Sequence, residues 1–207
     1  SRGDAFHVLD QSHSHLVLSL PRGRAVLTCH DLIPYLAARG ELSLPLTREV
    51  RASLQRRAAG IRAAARIVTL TRAVRDDLVR LLGIPEERIR VIPLGVDAAF
   101  RPGNRPEDAV WLEERLPGVR GRRRLLQVAT GGAYKNTSAL LAALAEIQRV
   151  VPDVCLVRVG APLSAEETDQ VRLLKLSAHI HQLSGITDEE LARCYRGCCL
   201  LAHPSLT

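Results

Sequence analysis

RLLQVATGGAYKNTSA, residues 124–139, is the stretch that decides the fold of this chain. Its apolar run predicts a strand, and a glycine pair and a lysine then lead into a helix that Asn136 and the following threonine can cap. Gly131 and Gly132 let backbone N–H groups approach an anion, which the helix amino end and Lys135 attract. The loop matches neither a Walker A loop nor a GxGxxG fingerprint. A plain loop with a surface lysine is an equally good interpretation.

The same alternation of strand and helix extends over the rest of the chain. Short apolar runs predict strands at residues 5–9, 25–29, 66–70, 89–93, 124–128, 154–159, 179–183 and 198–203. Helical patterns predict helices at residues 47–64, 72–82, 137–151, 165–177 and 188–196. This order predicts an α/β fold of parallel sheets covered by helices. The segment from Pro93 to Gly103 is rich in turn residues and predicts a junction between domains at residues 1–97 and 98–207.

A second candidate site follows the strand predicted at residues 25–29. Ligands bind open parallel sheets at the carboxyl ends of the strands, and His30 and Asp31 stand at such an end. His30 can donate a hydrogen bond to a phosphate or a sugar hydroxyl, or act as a base. Pro34 is expected to stop regular structure. A histidine and an aspartate that only cap their own loop are an equally good interpretation.

A third candidate site follows the strand predicted at residues 179–183. The sequence Ser184-Gly185-Ile186-Thr187 leads from that strand into the next helix. Exposed backbone at Gly185 and Ile186 can contact a flat ligand such as a nucleobase. An ordinary capped turn is the better interpretation of these residues taken alone.

Charge and composition narrow the classes of partner. The chain has 207 residues, a formal net charge of +7, 46% hydrophobic and 3% aromatic residues. Nearly all the positive charge is arginine, which is typical of a GC-rich genome, and it also favours phosphates or an anionic membrane surface. The basic residues are spread along the chain with few aromatic ones, which argues against a nucleic-acid partner.

Cysteine usage, hydropathy and the chain ends add further expectations. The five cysteines are odd in number and fit no disulfide framework, which predicts reduced thiols and a cytoplasmic location. Cys194, Cys198, Cys199 and His203 read as packing residues rather than as a metal site. No apolar run is long enough to predict a transmembrane helix. The chain has no Met and stops at Thr207, just after a predicted buried strand, so we expect both ends to be cut from a longer protein.

Taken together, four stretches resemble family 4 glycosyltransferases of the GT-B fold. The family's motifs are matched by His30-Asp31-Leu32-Ile33-Pro34 ("HDLIP"), by Val91 to Asp97 ("VIPNGVD"), by Tyr134-Lys135-Asn136 ("(R/Y)KN"), and by Gly185 to Arg196 followed by His203-Pro204-Ser205-Leu206. The resemblance covers nearly the whole chain. It implies two Rossmann-like parallel-sheet domains that face a cleft, both incomplete here: the acceptor-side domain first and the nucleotide-sugar domain second.

The resemblance also implies an activity and roles for the site residues. The family retains anomeric configuration and needs no metal, which agrees with the lack of an Asp-x-Asp pair in this sequence. The lysine matched by Lys135 binds the donor diphosphate, with Gly131, Gly132 and Asn136 in the same turn. The histidine matched by His30 lies by the transferred sugar and is the expected catalytic residue. Backbone at the positions of Gly185 and Ile186 receives the base.

The expected partners follow from the same resemblance. They are a GDP- or UDP-linked hexose, with a slight preference for mannose, and a glycan or lipid-linked acceptor in polysaccharide or glycolipid assembly. No cofactor is expected beyond the donor. The expected location is cytoplasmic, with peripheral contact to an anionic membrane.

Two departures from the family pattern keep alternatives open. Many members carry an arginine a few residues before the lysine, where this chain has Gly131, Gly132 and Ala133, so a second cation must come from elsewhere. The family's paired glutamates and glycine-rich acceptor loop are absent from this chain, so we expect the 207 residues alone to be inactive. A non-catalytic nucleotide-sugar-binding or scaffold relative is one alternative, and an unrelated nucleotide-binding α/β protein is another.

Overall fold

A computed structural model describes residues 4–103 and 105–206 of the chain. The chain divides into two compact units, the first ending at Gly95 and the second beginning at Val96. No helix in the described ranges combines the length and the apolar character that crossing a membrane requires.

The first unit is a parallel sheet with helices. Its strands are β1 (Phe6–Val8), β2 (Ala25–Cys29), β3 (Arg66–Thr69) and β4 (Ile89–Val91), and they pair in the order β1-β2-β3-β4. Its α-helices are α1 (Ile33–Ala38), α2 (Arg48–Ala63) and α3 (Arg72–Leu82), with 3-10 segments at Gln11–Ser19 and Glu86–Arg88. Leu27, Ile61, Ile67 and Leu78 are fully buried between sheet and helices.

The second unit is also a parallel sheet with helices. Its strands are β5 (Arg123–Ala129), β6 (Val154–Gly160), β7 (Ile180–Leu183) and β8 (Leu200–Leu201), in the order β7-β6-β5-β8. Its helices are α4 (Pro106–Arg115), α5 (Thr137–Val150), α6 (Ala165–Leu173) and α7 (Asp188–Gly197), with 3-10 turns at Pro117–Val119, Ala133–Lys135 and Ser177–His179.

Strand β6 shows why this sheet is parallel and buried. Cys155, Val157 and Val159 pack into one core with residues of α4 and α7, whereas Val154 and Leu156 pack into another with residues of α5 and α6. A strand covered on both faces needs apolar residues throughout, so the nearly continuous run of β6 suits the centre of such a sheet. The predicted α/β class with two parallel sheets is confirmed.

Several sequence-based expectations about elements are wrong. Pro34 does not stop regular structure, because it occupies the first turn of α1, where a missing N–H has no consequence. Helix α4 was not expected, since it begins directly at Pro106 after a turn-rich segment. The predicted helix at residues 165–177 ends at Leu173, and Lys175 adopts a left-handed backbone with φ of 57°.

The last predicted strand differs most. Residues 198–203 were expected to form a buried strand, but β8 covers only Leu200–Leu201, which are 57% and 46% exposed. Since β8 pairs with β5 alone, it is an edge strand of the described sheet. Thr207, the last residue of the sequence, lies outside the described residues.

Candidate functional site

The loop after β5 has a backbone that glycine makes accessible. Gly131 and Gly132 have φ of 96° and 97°, a region that residues with a Cβ rarely adopt. A Cβ on Gly132 would lie 2.8 Å from the Cε1 atom of Tyr134, so a side chain there would displace the tyrosine ring. The chain then closes a 3-10 turn, in which the Lys135 N–H donates to the Gly132 carbonyl at 3.0 Å.

The amino end of α5 carries no side-chain cap. Asn136 precedes the helix in a left-handed conformation with φ of 53°, and its side chain makes no capping hydrogen bond, so the expected asparagine cap is wrong. Helices α6 and α7 differ, because Ser164 and Thr187 close capping boxes at their amino ends. The first-turn N–H groups of a helix have no partner within the helix, so those of α5 are available to an external acceptor.

Lys135 stands at the same place. Its Nζ lies 4.9 Å from the centroid of the Tyr134 ring, and within the described part of the chain it forms no salt bridge. The Leu206 N–H donates to the Tyr134 carbonyl at 2.9 Å and so ties the segment after β8 to this turn. A cation without a carboxylate partner, beside uncapped amide groups, suits an anionic ligand.

The loop after β7 shares an edge of the sheet with this turn. Gly185 has φ of 63° and open space around its Cβ position, and Ile186 packs its side chain against the core. Thr187 and Glu190 use each other in a capping box, so the ordinary capped turn is present as well. Because β5, β6 and β7 are parallel neighbours, the two loops lie about 10 Å apart at the carboxyl edge.

A polar network that the sequence interpretation missed runs under both loops. The Arg158 guanidinium, on β6, donates to Gln127 on β5 at 3.0 Å, to Gln182 on β7 at 3.2 Å, and to the Ala161 carbonyl. Gln127 in turn donates to the Thr137 hydroxyl at 3.3 Å, at the first residue of α5. An arginine inside the otherwise apolar run of β6 was the available signal.

His30 stands at the carboxyl edge of the other unit's sheet. It follows β2, is exposed, and its backbone N–H donates to the Gln11 side chain at 2.9 Å. Its Nε2 lies 3.0 Å from the Leu9 carbonyl, which only accepts, so Nε2 carries the proton and Nδ1 is left for another group. Asp31 accepts from the Ile33 N–H at 3.1 Å, so the local loop-capping interpretation holds for the aspartate.

Asp10 is a neighbour of His30 that the sequence interpretation did not find. The Ser12 hydroxyl, and then the Ser12 N–H at 2.6 Å, hold the pKa of Asp10 below its usual range, with a smaller Coulombic contribution from His30. The carboxylate follows β1, the strand paired with β2, and so belongs to the same edge as His30. Only the pairing of β1 with β2 reveals this neighbour, since the two residues are far apart in the sequence.

The predicted site residues therefore form two groups. The described part of the second unit brings together Gly131, Gly132, Lys135 and Asn136 in one turn, with the backbone of Gly185 and Ile186 along the same sheet edge. The first unit holds His30 with Asp10 at its own sheet edge. No group of three or more metal-ligating side chains occurs within residues 4–103 and 105–206.

The cysteines read as packing residues do not share one environment. Cys29, Cys155 and Cys194 are buried, Cys198 is half-buried and Cys199 is exposed. The core interpretation therefore applies to Cys194 and Cys198, which pack with α4 and α7, and it is wrong for Cys199.

Sequence comparison identifies one family. The family model described as Glycosyltransferase Family 4 matches residues 4–100. A search of the curated proteins gave no significant match.

Comparison with solved structures extends to both units. The crystal structure of Anabaena Alr3699/HepE in complex with UDP-glucose superimposes with a TM-score of 0.69 at 20% identity, over 88% of this chain and 47% of that chain. WaaG, a glycosyltransferase involved in lipopolysaccharide biosynthesis, gives 0.68 at 18%, over 93% and 56%. The catalytic domain of starch synthase IV from Arabidopsis thaliana, bound to ADP and acarbose, gives 0.64 at 14%, over 100% and 52%. The chain thus spans about half the length of these structures, and at such identities the likeness establishes the fold.

Proposed function

We propose that the protein moves a hexose from a nucleotide sugar to a glycan or lipid-linked acceptor, since residues 4–100 match the family model of glycosyltransferase family 4. The observation that carries this proposal is the turn from Gly131 to Asn136, where two left-handed glycines, an uncapped helix start and Lys135 meet. The UDP-glucose and UDP complexes of HepE support a nucleotide sugar as the donor.

Sugar transfer requires positive charge around the diphosphate leaving group. When the bond between the sugar and the diphosphate breaks, negative charge grows on the phosphate oxygens. The helix fixes the first N–H groups of α5 before the reaction and the Lys135 ammonium is beside them, so both stabilise that charge. In this proposal no metal is used, because the lysine and the amide groups supply the positive charge.

The remaining site residues are proposed to contact the base and the sugar of the donor. The backbone of Gly185 and Ile186 receives the base, since the glycine leaves open space there and the sheet spacing separates it from the phosphate turn by about 10 Å. His30 is proposed to lie by the transferred sugar, with Nδ1 free to bond a sugar hydroxyl. We propose transfer with retention of configuration and a preference for mannose, both of which rest on the family resemblance of the sequence.

The location is proposed from composition, and the roles of the two domains are proposed from the family resemblance. A net charge of +7 suits a protein that works in the cytoplasm beside an anionic membrane and takes a lipid-linked acceptor there. We propose the first domain as the acceptor side and the second as the donor side. The 207 residues alone are expected to be inactive, because the family's paired glutamates are not among them.

Titration of the full chain with UDP and GDP, with NAD as the unrelated nucleotide, tests the proposal. Lys135→Ala is expected to weaken binding of the preferred diphosphate at least about tenfold, which corresponds to ~1.4 kcal/mol. Lys175→Asn is the matched control: it removes the same charge from an exposed site, and asparagine tolerates the left-handed backbone there. Unchanged affinity in Lys135→Ala, or a preference for NAD, would refute the assignment.

A non-catalytic nucleotide-sugar-binding relative is the second candidate. Gly131, Gly132 and Ala133 favour it, because they stand where many family members carry an arginine. Sugar transfer or donor hydrolysis, measured with UDP-glucose and GDP-mannose on a chain that also contains the family's paired glutamates, separates the candidates. Tight donor binding without either reaction would favour the binding protein.

A further inference from the structure

Arg158 is one of two charged residues, with Asp108, that are only 1% exposed in the described part of the chain. It lies on β6, two residues before the strand ends at Gly160. The side chain points to the sheet face covered by α5 and α6, as that of Leu156 does two residues earlier. Burying a guanidinium is expensive unless a negative group compensates its charge.

The hydrogen bonds of Arg158 all go to neutral oxygens. They are the side-chain oxygens of Gln127 and Gln182 and the Ala161 carbonyl, and the described residues give it no salt bridge. Burial lowers the pKa of the guanidinium, and the more distant Glu167 opposes that shift. Arginine remains charged in proteins, so a full positive charge stays inside the unit without a carboxylate beside it.

The network places this charge under the phosphate turn. Ala161, whose carbonyl accepts from Arg158, also lies beside Gly131, since a Cβ on that glycine would be 3.5 Å from the Ala161 Cβ. Gln127 links the guanidinium to Thr137 at the start of α5. Both contacts end at the turn that holds Lys135, within about two strand spacings of Arg158, or ~10 Å.

We infer that Arg158 is a positioning residue that supplies the second positive charge of the diphosphate site from beneath the turn. This inference rests on the proposed function, because it takes the turn from Gly131 to Asn136 to be the diphosphate site. It accounts for the glycines that stand where many family members carry an arginine, because the charge comes from the neighbouring strand instead. Gln127, Gln182 and the Ala161 carbonyl orient the guanidinium and hold the turn in place.

The expected size of the effect follows from Coulomb's law. At about 10 Å and an effective dielectric constant of about 20, one cation improves the affinity for each unit of negative charge about tenfold or more. A nucleoside carries no phosphate, so its affinity should not depend on Arg158. This difference separates an electrostatic role from a purely structural one.

The experiment compares Arg158→Met and Arg158→Lys in the full chain. UDP or GDP, whichever wild type binds more tightly, and the corresponding nucleoside are titrated into each variant, and melting temperature is recorded. Arg158→Met is expected to lose about tenfold or more in diphosphate affinity with nucleoside binding unchanged, and the melting temperature shows whether the variant folds. Arg158→Lys is expected to keep diphosphate affinity within about threefold, because it retains the charge.

Arg124→Met is the control. That arginine lies near the start of β5, away from the carboxyl edge, and is paired with Glu113 at 2.8 Å, so its loss should leave diphosphate affinity unchanged. Equal losses for diphosphate and nucleoside, or no loss in Arg158→Met, would overturn the inference. If Arg158→Met does not fold, Arg158→Lys decides: normal melting with a tenfold loss of affinity would overturn it.

The outcomes distinguish this inference from the proposed function. A wild-type chain that binds no nucleoside diphosphate contradicts both. A chain in which Lys135→Ala weakens diphosphate binding, whereas Arg158→Met does not, keeps the proposed function and rejects the role of Arg158 alone.

Discussion

Replacing Asp108 by Ala is expected to destabilise the unit that begins at Val96 by about 3–5 kcal/mol. Asp108 is 1% exposed in the first turn of α4, and its carboxylate accepts from the Arg196 Nε at 2.5 Å and pairs with the Arg193 Nε at 3.2 Å, both on α7. Removing one member of a buried ion pair leaves the other charge without compensation. The contact between Asp108 and α7 matters for the candidate site, because α7 begins directly after the loop that contains Gly185 and Ile186.

The two arginines should contribute unequally to this stability. The Arg196 side chain is 12% exposed and also donates to the Ala99 carbonyl at 3.3 Å, so it depends on the carboxylate. The Arg193 side chain is 36% exposed and lies 5.3 Å from the Trp111 ring centroid, so water can solvate it. Arg196→Ala is therefore expected to cost about 3 kcal/mol or more, and Arg193→Ala about 0–1 kcal/mol.

Urea unfolding followed by tryptophan fluorescence measures these changes. Trp111 is the chain's single tryptophan and lies on α4 beside the ion pair, so its signal reports on this unit and not on the first. With an m-value of about 2 kcal/mol/M, Asp108→Ala should lower the urea midpoint by about 1.5–2.5 M. Arg193→Ala is the matched control, since it removes an arginine of the same cluster.

A small effect would refute the reasoning. If Asp108→Ala lowers the free energy of unfolding by less than about 1 kcal/mol, the ion pair does not hold α4 to α7. The double variant Asp108→Leu/Arg196→Met gives a second check, because removing both charges should cost less than removing Asp108 alone.

Two further predictions concern helix α2 and the thiols. Gly60→Ala should destabilise the first unit by about 1–3 kcal/mol, although alanine is the better helix former, because its Cβ would collide with the Ser14 carbonyl oxygen. Urea unfolding followed by circular dichroism measures this change, and a stabilised variant would contradict the packing. An aromatic disulfide reagent at about pH 8 should modify the exposed Cys199 first. Cys29 and Cys198 should react only on unfolding, because burial raises the pKa of each thiol to about 12. Fast reaction of a second thiol in the folded chain would contradict the burial pattern.

Most of the elements could be predicted because their signals are local. Strand β2 and helix α3 have the predicted bounds, and Gly83 ends α3 in the left-handed conformation that glycine favours. The capping box between Thr187 and Glu190 is also a local signal, since it needs only two residues that are three apart in the sequence. Proline was misleading at two positions, because Pro34 and Pro106 each begin a helix rather than prevent one.

The candidate site could be predicted only in part. The glycine pair, Lys135 and Gly185 follow strand ends and were found from the sequence. Asp10 and Arg158 were not, because each becomes part of a site through strands that are distant in sequence. The family 4 glycosyltransferase model matches residues 4–100, in agreement with the resemblance of the sequence, whereas the individual site residues remain predictions.

What the sequence determined by itself is the alternation of strand and helix and the backbone freedom at its glycines, since both depend on neighbours along the chain. What only the tertiary structure decided is which side chains share a sheet edge. Parallel pairing brings Gln127, Arg158 and Gln182 from three strands into one hydrogen-bonded row. No local pattern records that row, because the strand order is set by packing across the whole unit.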